Sequence, residues 1–473
     1  MSATEEPTSP GGAAEEAVTP PIKMGHPKGL YVLFFTEMWE RMSYYGMRAL
    51  LVLYMTSYLF QPEKAKDVLG FNTIKAILEA IFGPLAIQPL SSQIYGLYTG
   101  FVYATPILGG ILADRILGQR KTVILGGLIM AFGHFLMASE RLFFPALLCL
   151  VIGNGAFKPN LSTQVGLLYE QGDPRRDRAF NIYYVGINLG AFLAPLICGT
   201  LGQKVGWHYG FGAAGVGMLL GLVVYLWGQK HLAPDNLSTQ KTAKAEGRAA
   251  EKQELTSEER GRIIALVVLC AINVVFWAVY EQQGNTMQLW ADKQTHWPTI
   301  FGFQIPSTWF QSFNPAMIFT LTPLINILWT KQAREGKEPS SVMKMAYGCS
   351  LLGISFVVMI FAAQTIGPEG KGSLIWPFAC TMMLTVGELY LSPVGLSLVT
   401  KLAPGRMVSM LMGMWFLSNF FGNYLSGYIG TFWDKWPKER FFLLLTVLGV
   451  GAGLAIFGIS RWLRRIMGKH ANA

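Results

Sequence analysis

The residues best placed to do chemistry in this chain are charges set in apolar surroundings. Thr36 to Arg48 reads TEMWERMSYYGMR, which puts Glu37, Glu40, Arg41 and Arg48 in one apolar stretch. At about 100° per residue these four, with Tyr44 and Tyr45, fall within an arc of roughly 140°, one polar stripe on a helix. Lys158 sits in GNGAFKPN, beside Pro159 and after Gly153 and Gly155, where a kinked helix frees backbone carbonyls. Glu281 in FWAVYEQQG and Glu388 in TVGELYLSPVGLS are acids in otherwise uncharged stretches. Asn188 in GINLGA and Asn314 in FNPAM add neutral donors, although a lone Asn also serves as glue between membrane helices.

A charged side chain at a bilayer centre costs at least ~2.5–3.5 kcal/mol, so it is normally paired and functional. If these stretches cross a membrane, the stripe cannot face lipid and must line a space between helices. A Glu37–Arg41 ladder at i, i+4 would be a purely structural use of it, but two acids, two arginines and two tyrosine hydroxyls exceed what a ladder needs. Acids isolated in hydrocarbon are the kind of group that exchanges a proton near neutral pH. The cations Arg41, Arg48 and Lys158 lie in the first half of the chain, and Glu281 and Glu388 in the second. A small zwitterion between the halves would turn its carboxylate to the first and its ammonium to the second, with Tyr44, Tyr45, Tyr98, Tyr103, Trp277 and Trp415 as walls. Residues alone thus lead to a proton-coupled carrier of a small zwitterion. An enzyme is disfavoured because no H-E-x-x-H, G-x-S-x-G or His/Asp cluster is present, and no catalytic residue is assigned. A passive channel is disfavoured because charges of mixed sign would trap ions.

The elements that position these charges follow from composition. Of 473 residues, 52% are hydrophobic and only 14% charged, whereas a soluble chain carries roughly 25% charge; lipid covers the difference. The net charge of +10 does not point to nucleic acid, because most Lys and Arg lie in short loops between apolar runs. The five cysteines are isolated within apolar runs and suggest neither disulfide nor metal site, and no cofactor is expected. Twelve runs approach the about 20 residues that a spanning helix needs: 29–60, 89–113, 121–139, 143–170, 177–203, 208–229, 261–291, 309–331, 341–364, 373–401, 406–432 and 438–463. The link 61–88 contains NTIKAILEAIF, a short amphipathic helix at the surface. The expected organisation is a disordered cytoplasmic tail (1–28), a six-helix bundle (29–229), a charged cytoplasmic linker (230–260), a second six-helix bundle (261–463) and a tail (464–473). The tail has no cleavable signal, so the first span acts as the targeting signal. An inside N-terminus collects about 25 Lys and Arg on the inner face against about 10 outside, with both termini cytoplasmic.

Six plus six helices with a mid-chain linker is the plan of the major facilitator superfamily, and GGILADRILGQRK, Gly109 to Lys121, resembles its loop motif, with a tight turn at Gly118. Within it, EMWERMSYYG (Glu37 to Gly46) resembles the E-x-x-E-R-F-x-Y-Y-G motif of the proton-dependent oligopeptide transporter family, with Met42 in place of Phe. FNIYYVGINLGA (Phe180 to Ala191) is similar to that family's F-Y-x-x-I-N-x-G signature, and GNGAFKPN and GELYLSPVGLS also match. The resemblance implies proton-coupled symport of di- and tripeptides into a bacterial cell across its inner membrane by a monomer. It implies that Arg41 and Lys158, with Tyr44, Asn188 and Tyr103, hold the peptide carboxylate. Glu388 takes the peptide amino terminus, Asn314 contacts the peptide, and Tyr45, Trp277 and Trp415 line side-chain pockets. Glu37, Glu40 and Glu281 couple protons, and Arg48 pairs with Glu281 to close an outer gate. His134 reads as structural. Within the same class, nitrate or a single amino acid is the alternative cargo, disfavoured because the E-x-x-E-R motif is intact.

Overall fold

In a computed structural model of the chain, residues 25–170, 173, 175–234, 256–404 and 407–467 are described. Most of the tail, linker and end segment expected from the sequence (1–24, 235–255 and 468–473) lie outside the described residues. The fold is all-α, as apolar runs separated by Gly, Pro and charged turns dictate. Twelve long helices are α1 Lys28–Tyr54, α2 Ile87–Ala104, α3 Gln119–Leu136, α4 Phe143–Leu167, α5 Arg175–Ala194 and α6 Trp207–Gly228, then α7 Ser257–Tyr280, α8 Phe313–Arg334, α9 Ser341–Ile366, α10 Ile375–Leu402, α11 Val408–Gly430 and α12 Lys438–Met467. They form two six-helix bundles. Eight helical stretches are long and apolar enough to cross a membrane by length and composition. The other four are α1, diluted by its charged stripe, α3 by Gln119 to Lys121, α8 by Asn314 and Asn326, and α11 by Asn419 and Asn423.

Several ends differ from the expected spans for local reasons. Helix α7 starts inside the expected linker because Thr256 and Glu259 form a capping box, Thr256 Oγ1 accepting from the Glu259 amide at 3.1 Å and Glu259 Oε2 from the Thr256 amide at 2.9 Å. Gly118 takes a φ of 81° at the α2–α3 turn, and Arg120 donates to the carbonyls of Leu232 and Ala233 at 2.7 Å, tying this turn to the exit from α6. The link after α1 contains the helix Phe71–Phe82, whose terminal Phe82 packs 5.8 Å from the ring of Tyr428 on α11. A two-residue hairpin, Thr299–Ile300 against Phe303–Gln304, lies between α7 and α8.

The two bundles meet at the end that holds the C-terminal half of α1. There α2 runs along α11, Ser92 donating to Asn285 Oδ1 at 2.8 Å and Gln88 to the Gly430 carbonyl at 2.9 Å. The α5 end meets the start of α8: Trp309 donates to Thr200 Oγ1 at 2.8 Å, Gln203 to Ser307 Oγ at 2.9 Å, and Ser312 to the Phe192 carbonyl at 2.9 Å. Backbones approach closely where both residues lack a side chain, so a Cβ on Gly96 would lie 2.6 Å from the Gly427 Cα. Gly96→Leu should therefore wedge this seam open and cost about 1–3 kcal/mol by overpacking; a lowered Tm of the detergent-solubilised protein is the measurement, and an unchanged Tm refutes the contact.

Candidate functional site

The polar stripe of α1 divides between two partners. Arg41 lies 3.2 Å from Glu37 Oε1 through Nε, and the same nitrogen donates to Glu40 Oε2 while Nη2 donates to Glu40 Oε1 at 2.6 Å. Neighbouring helices complete both carboxylates: Asn154 on α4 donates to Glu40 Oε1 at 3.0 Å, and the Tyr183 hydroxyl on α5 donates to Glu37 Oε2 at 2.6 Å. All of these groups are buried. Tyr44 is buried too, its ring 5.2 Å below the Arg41 guanidinium.

One turn further, Arg48 reaches across to the other bundle. Its Nη2 lies 2.5 Å from Glu281 Oε2, in the turn Glu281–Gln283 that follows α7, and its Nε donates to the Tyr95 hydroxyl at 2.7 Å. The guanidinium also lies over the rings of Tyr45 and Tyr95, at 5.8 and 5.9 Å.

A cavity of about 280 Å³ lies between the bundles below this pair. Tyr45, Arg48, Tyr103, Lys158 and Asn188 line it from the first bundle, and Trp277, Tyr280, Asn314, Glu388 and Asn419 from the second. Among the described residues Lys158 has no ion pair; its ammonium rests 4.6 Å from the Tyr103 ring centroid. Glu388 likewise has no cation among the described residues and accepts from Asn314 Nδ2 at 2.8 Å, while the Tyr280 hydroxyl donates to Asn314 Oδ1 at 3.4 Å. Asn314 donates in addition to Thr385 at 3.0 Å. The buried indole N–H of Trp277 has no partner among the described residues.

Four assignments to ligand contact or cavity wall do not fall on this cavity; one is Tyr98, expected as a wall but buried and absent from the lining. Arg41 and Tyr44, assigned to a ligand carboxylate, lie outside its lining because Arg41 is drawn into the two acids of its own helix. Trp415, expected as a wall, is 3% exposed and packs where a Cβ on Gly395 of α10 would be; Phe416, the next residue round the helix, lines the cavity instead. His134 is buried on α3, its Nε2 2.7 Å from Ser43 Oγ, which itself donates to the Ala214 carbonyl.

The family model described as the POT family matches residues 120–246 and 233–444. The chain belongs to the POT family. It is 35% identical to an uncharacterized transporter of Bacillus subtilis (94% of this chain, 95% of that one). It is 32% identical to a di-/tripeptide transporter of Lactococcus lactis subsp. cremoris, over 94% of this chain and 97% of that one. Among solved structures it resembles a peptide transporter POT variant in complex with alafosfalin, with 33% identity, a TM-score of 0.78, and coverage of 94% of this chain and 96% of the other. The chain is a multi-pass membrane transporter with the major facilitator fold and not an enzyme.

In this POT-family chain, the residues that sequence reasoning missed are neutral partners of the charges, Tyr95, Asn154 and Tyr183, and Tyr280, which bonds Asn314. Their only signal was polarity within an apolar span. Asn419 was missed as well; its Oδ1 accepts from Asn273 Nδ2 at 2.9 Å, which leaves its own amide N–H groups for the cavity. Removing one member of a buried ion pair strands the other, at about 3–5 kcal/mol, whereas replacing both with apolar side chains is often neutral. Glu281→Ala should therefore lower the Tm in detergent well below that of the Arg48→Met, Glu281→Leu double variant. Equal losses would show that the 2.5 Å contact is not a stabilising pair.

Proposed function

We propose that this chain carries di- and tripeptides into a bacterial cell together with protons, by alternating access of a site between its two bundles. The carrying observation is the cavity that sets an unpaired ammonium, Lys158 on α4, and a carboxyl without a cation, Glu388 on α10, on walls from different bundles. A peptide is a zwitterion whose termini are separated by the length of its backbone, and it complements that arrangement. The volume of about 280 Å³ lies just below the roughly 300–1,000 Å³ range of ligand pockets, in keeping with a small cargo. The di-/tripeptide transporter of Lactococcus lactis supports the same cargo.

The residue roles follow from this reading. Lys158, with Tyr103 and Asn188, takes the peptide carboxylate; Glu388 and Asn314 take its amino terminus; Tyr45 and Trp277 face its side chains. Arg41 joins the carboxylate site only when protons on Glu37 or Glu40 loosen its hold, which ties loading of peptide to loading of protons, and Tyr44 keeps its guanidinium in place. Arg48 and Glu281 form the outer gate, and a proton on Glu281 releases Arg48. The Lys and Arg of the short inner loops support this orientation: both termini in the cytoplasm of a cell with the protein in its inner membrane, where it works as a monomer, its bundles corresponding to 29–229 and 261–463.

Two experiments test this. In proteoliposomes, Glu281→Gln should abolish accumulation of dialanine driven by a pH gradient while counterflow persists; accumulation against a gradient by this variant would refute the gate assignment. For the site, Lys158→Gln should erase the preference for a free over an amidated carboxyl terminus, and Glu388→Gln the preference for a free over an acetylated amino terminus. Each should cost about ten- to a hundredfold in affinity, from the loss of a charge-assisted contact of about 1.5–3 kcal/mol. Competition by nitrate or single amino acids as strong as by dipeptides would instead favour the other cargo.

A further inference from the structure

Glu37 has two contacts of different kinds. One oxygen faces Arg41 on its own helix at 3.2 Å; the other accepts from the Tyr183 hydroxyl on α5 at 2.6 Å. Tyr183 is 5% exposed and absent from the cavity lining, so its hydroxyl meets no ligand there. Aligning Ile187-Asn188-Leu189-Gly190 with the I-N-x-G of the helix 5 signature puts Tyr183 where that signature carries Phe.

We propose that Tyr183 is a positioning residue for proton coupling: its hydroxyl holds Glu37 in place and sets the pH at which that carboxylate takes up the coupling proton. This rests on the reading of the chain as a proton symporter. The physical basis is the asymmetry of the bond. A phenol O–H donates to an ionised carboxylate more strongly than to a neutral carboxyl group, so it favours the ionised form. The other groups in reach do not replace it. Arg41 and Glu40 on α1 face both residues of the pair, with Arg41 shared between the two acids. Lys158 on α4 faces both acids without bonding either, and Tyr98 on α2 faces Glu40. Helix α6 brings Gly217 and Gly221 against Trp39 on the other side of α1.

The bond also links two helices. Among the described residues Tyr183 is the α5 group that bonds the α1 acids, while Asn154 does the same from α4. A change of proton on Glu37 is thereby felt directly by α5, whose far end makes the closing contacts with α8.

The test is the pH dependence of dialanine uptake into proteoliposomes containing the full-length protein, for wild type and Tyr183→Phe, each curve scaled to its own maximum. Loss of the hydroxyl should move the midpoint of the curve to higher pH by about one unit. Repeated in a Glu37→Gln background and read by the pH dependence of dialanine counterflow, which needs no net proton movement, the same substitution should move nothing. A lowered maximum with an unmoved midpoint would make Tyr183 merely structural and overturn the proposal. So would a shift that persists in the Glu37→Gln background, because the hydroxyl would then act through another group. If wild type shows uptake driven by a pH gradient and Tyr183→Phe leaves the midpoint in place, this inference alone fails. If wild type shows no such uptake, the symport reading fails and this inference with it.

Discussion

Charge in hydrocarbon has to be neutralised by other charge or by hydrogen bonds, and in this chain the books do not close within one helix. Helix α1 carries Glu37, Glu40, Arg41 and Arg48. The two acids are both spent on Arg41, at 3.2 Å and through a bidentate contact. Arg48 is left without an acid on its own helix or bundle, and its carboxylate comes from Glu281 in the other half of the chain. The docking of the two bundles is thus a condition for burying Arg48, and the burial of Arg48 is part of what holds them docked. A pair of this kind is weak evidence of net stability, although either partner alone is costly to leave behind.

The same constraint makes the cavity informative. Lys158 and Glu388 are ionisable groups in the middle of helices, and neither has an opposite charge among the described residues. Each is partly compensated: Lys158 by the face of Tyr103, a contact of about 0.5–2 kcal/mol, and Glu388 by the Asn314 amide. Such compensation tolerates an empty site without satisfying it. The remaining potential is dipolar, positive toward α4 and negative toward α10, and a ligand with one terminus of each sign gains from both ends. A simple anion gains from one end only and meets Glu388 at the other.

How much of this was legible in the sequence follows from the same physics. Helix number and order could be read because hydrocarbon demands long apolar runs, and the charged sites because a charge in such a run is rare. The ends were less clear: α7 starts at Ser257 through a capping box that lies in a charged segment, and the hairpin at 299–304 is too short to show any period. The neutral partners Tyr95, Asn154 and Tyr183 were invisible as partners, because tyrosine and asparagine are ordinary in membrane helices and only packing selects those that touch a charge. Trp415 shows a sharper limit. It and Phe416 are adjacent large aromatics, and choosing between them as a cavity wall means fixing the rotation of α11 to within about 100°. Apolar periodicity cannot do that for a helix with lipid on one side and protein on the other.

The seam that closes one end of the cavity combines close glycine contacts, the ring of Phe82 against Tyr428 and hydrogen bonds between polar side chains. Ser92 with Asn285, Gln88 with the Gly430 carbonyl, Trp309 with Thr200 and Gln203 with Ser307 are neutral hydrogen bonds between the bundles. On separation water can satisfy each of these groups, so each resists opening by only about 0.5–1.5 kcal/mol. An apolar seam of the same extent would resist in proportion to its area and would respond to no ligand. Against this background of small, replaceable bonds the single ion pair between Arg48 and Glu281 is the contact whose strength depends on a proton. On the proposed reading, protonating Glu281 removes its charge while leaving the neutral hydrogen bonds as they were, so that an end held shut by modest bonds and one titratable pair would be opened by one proton.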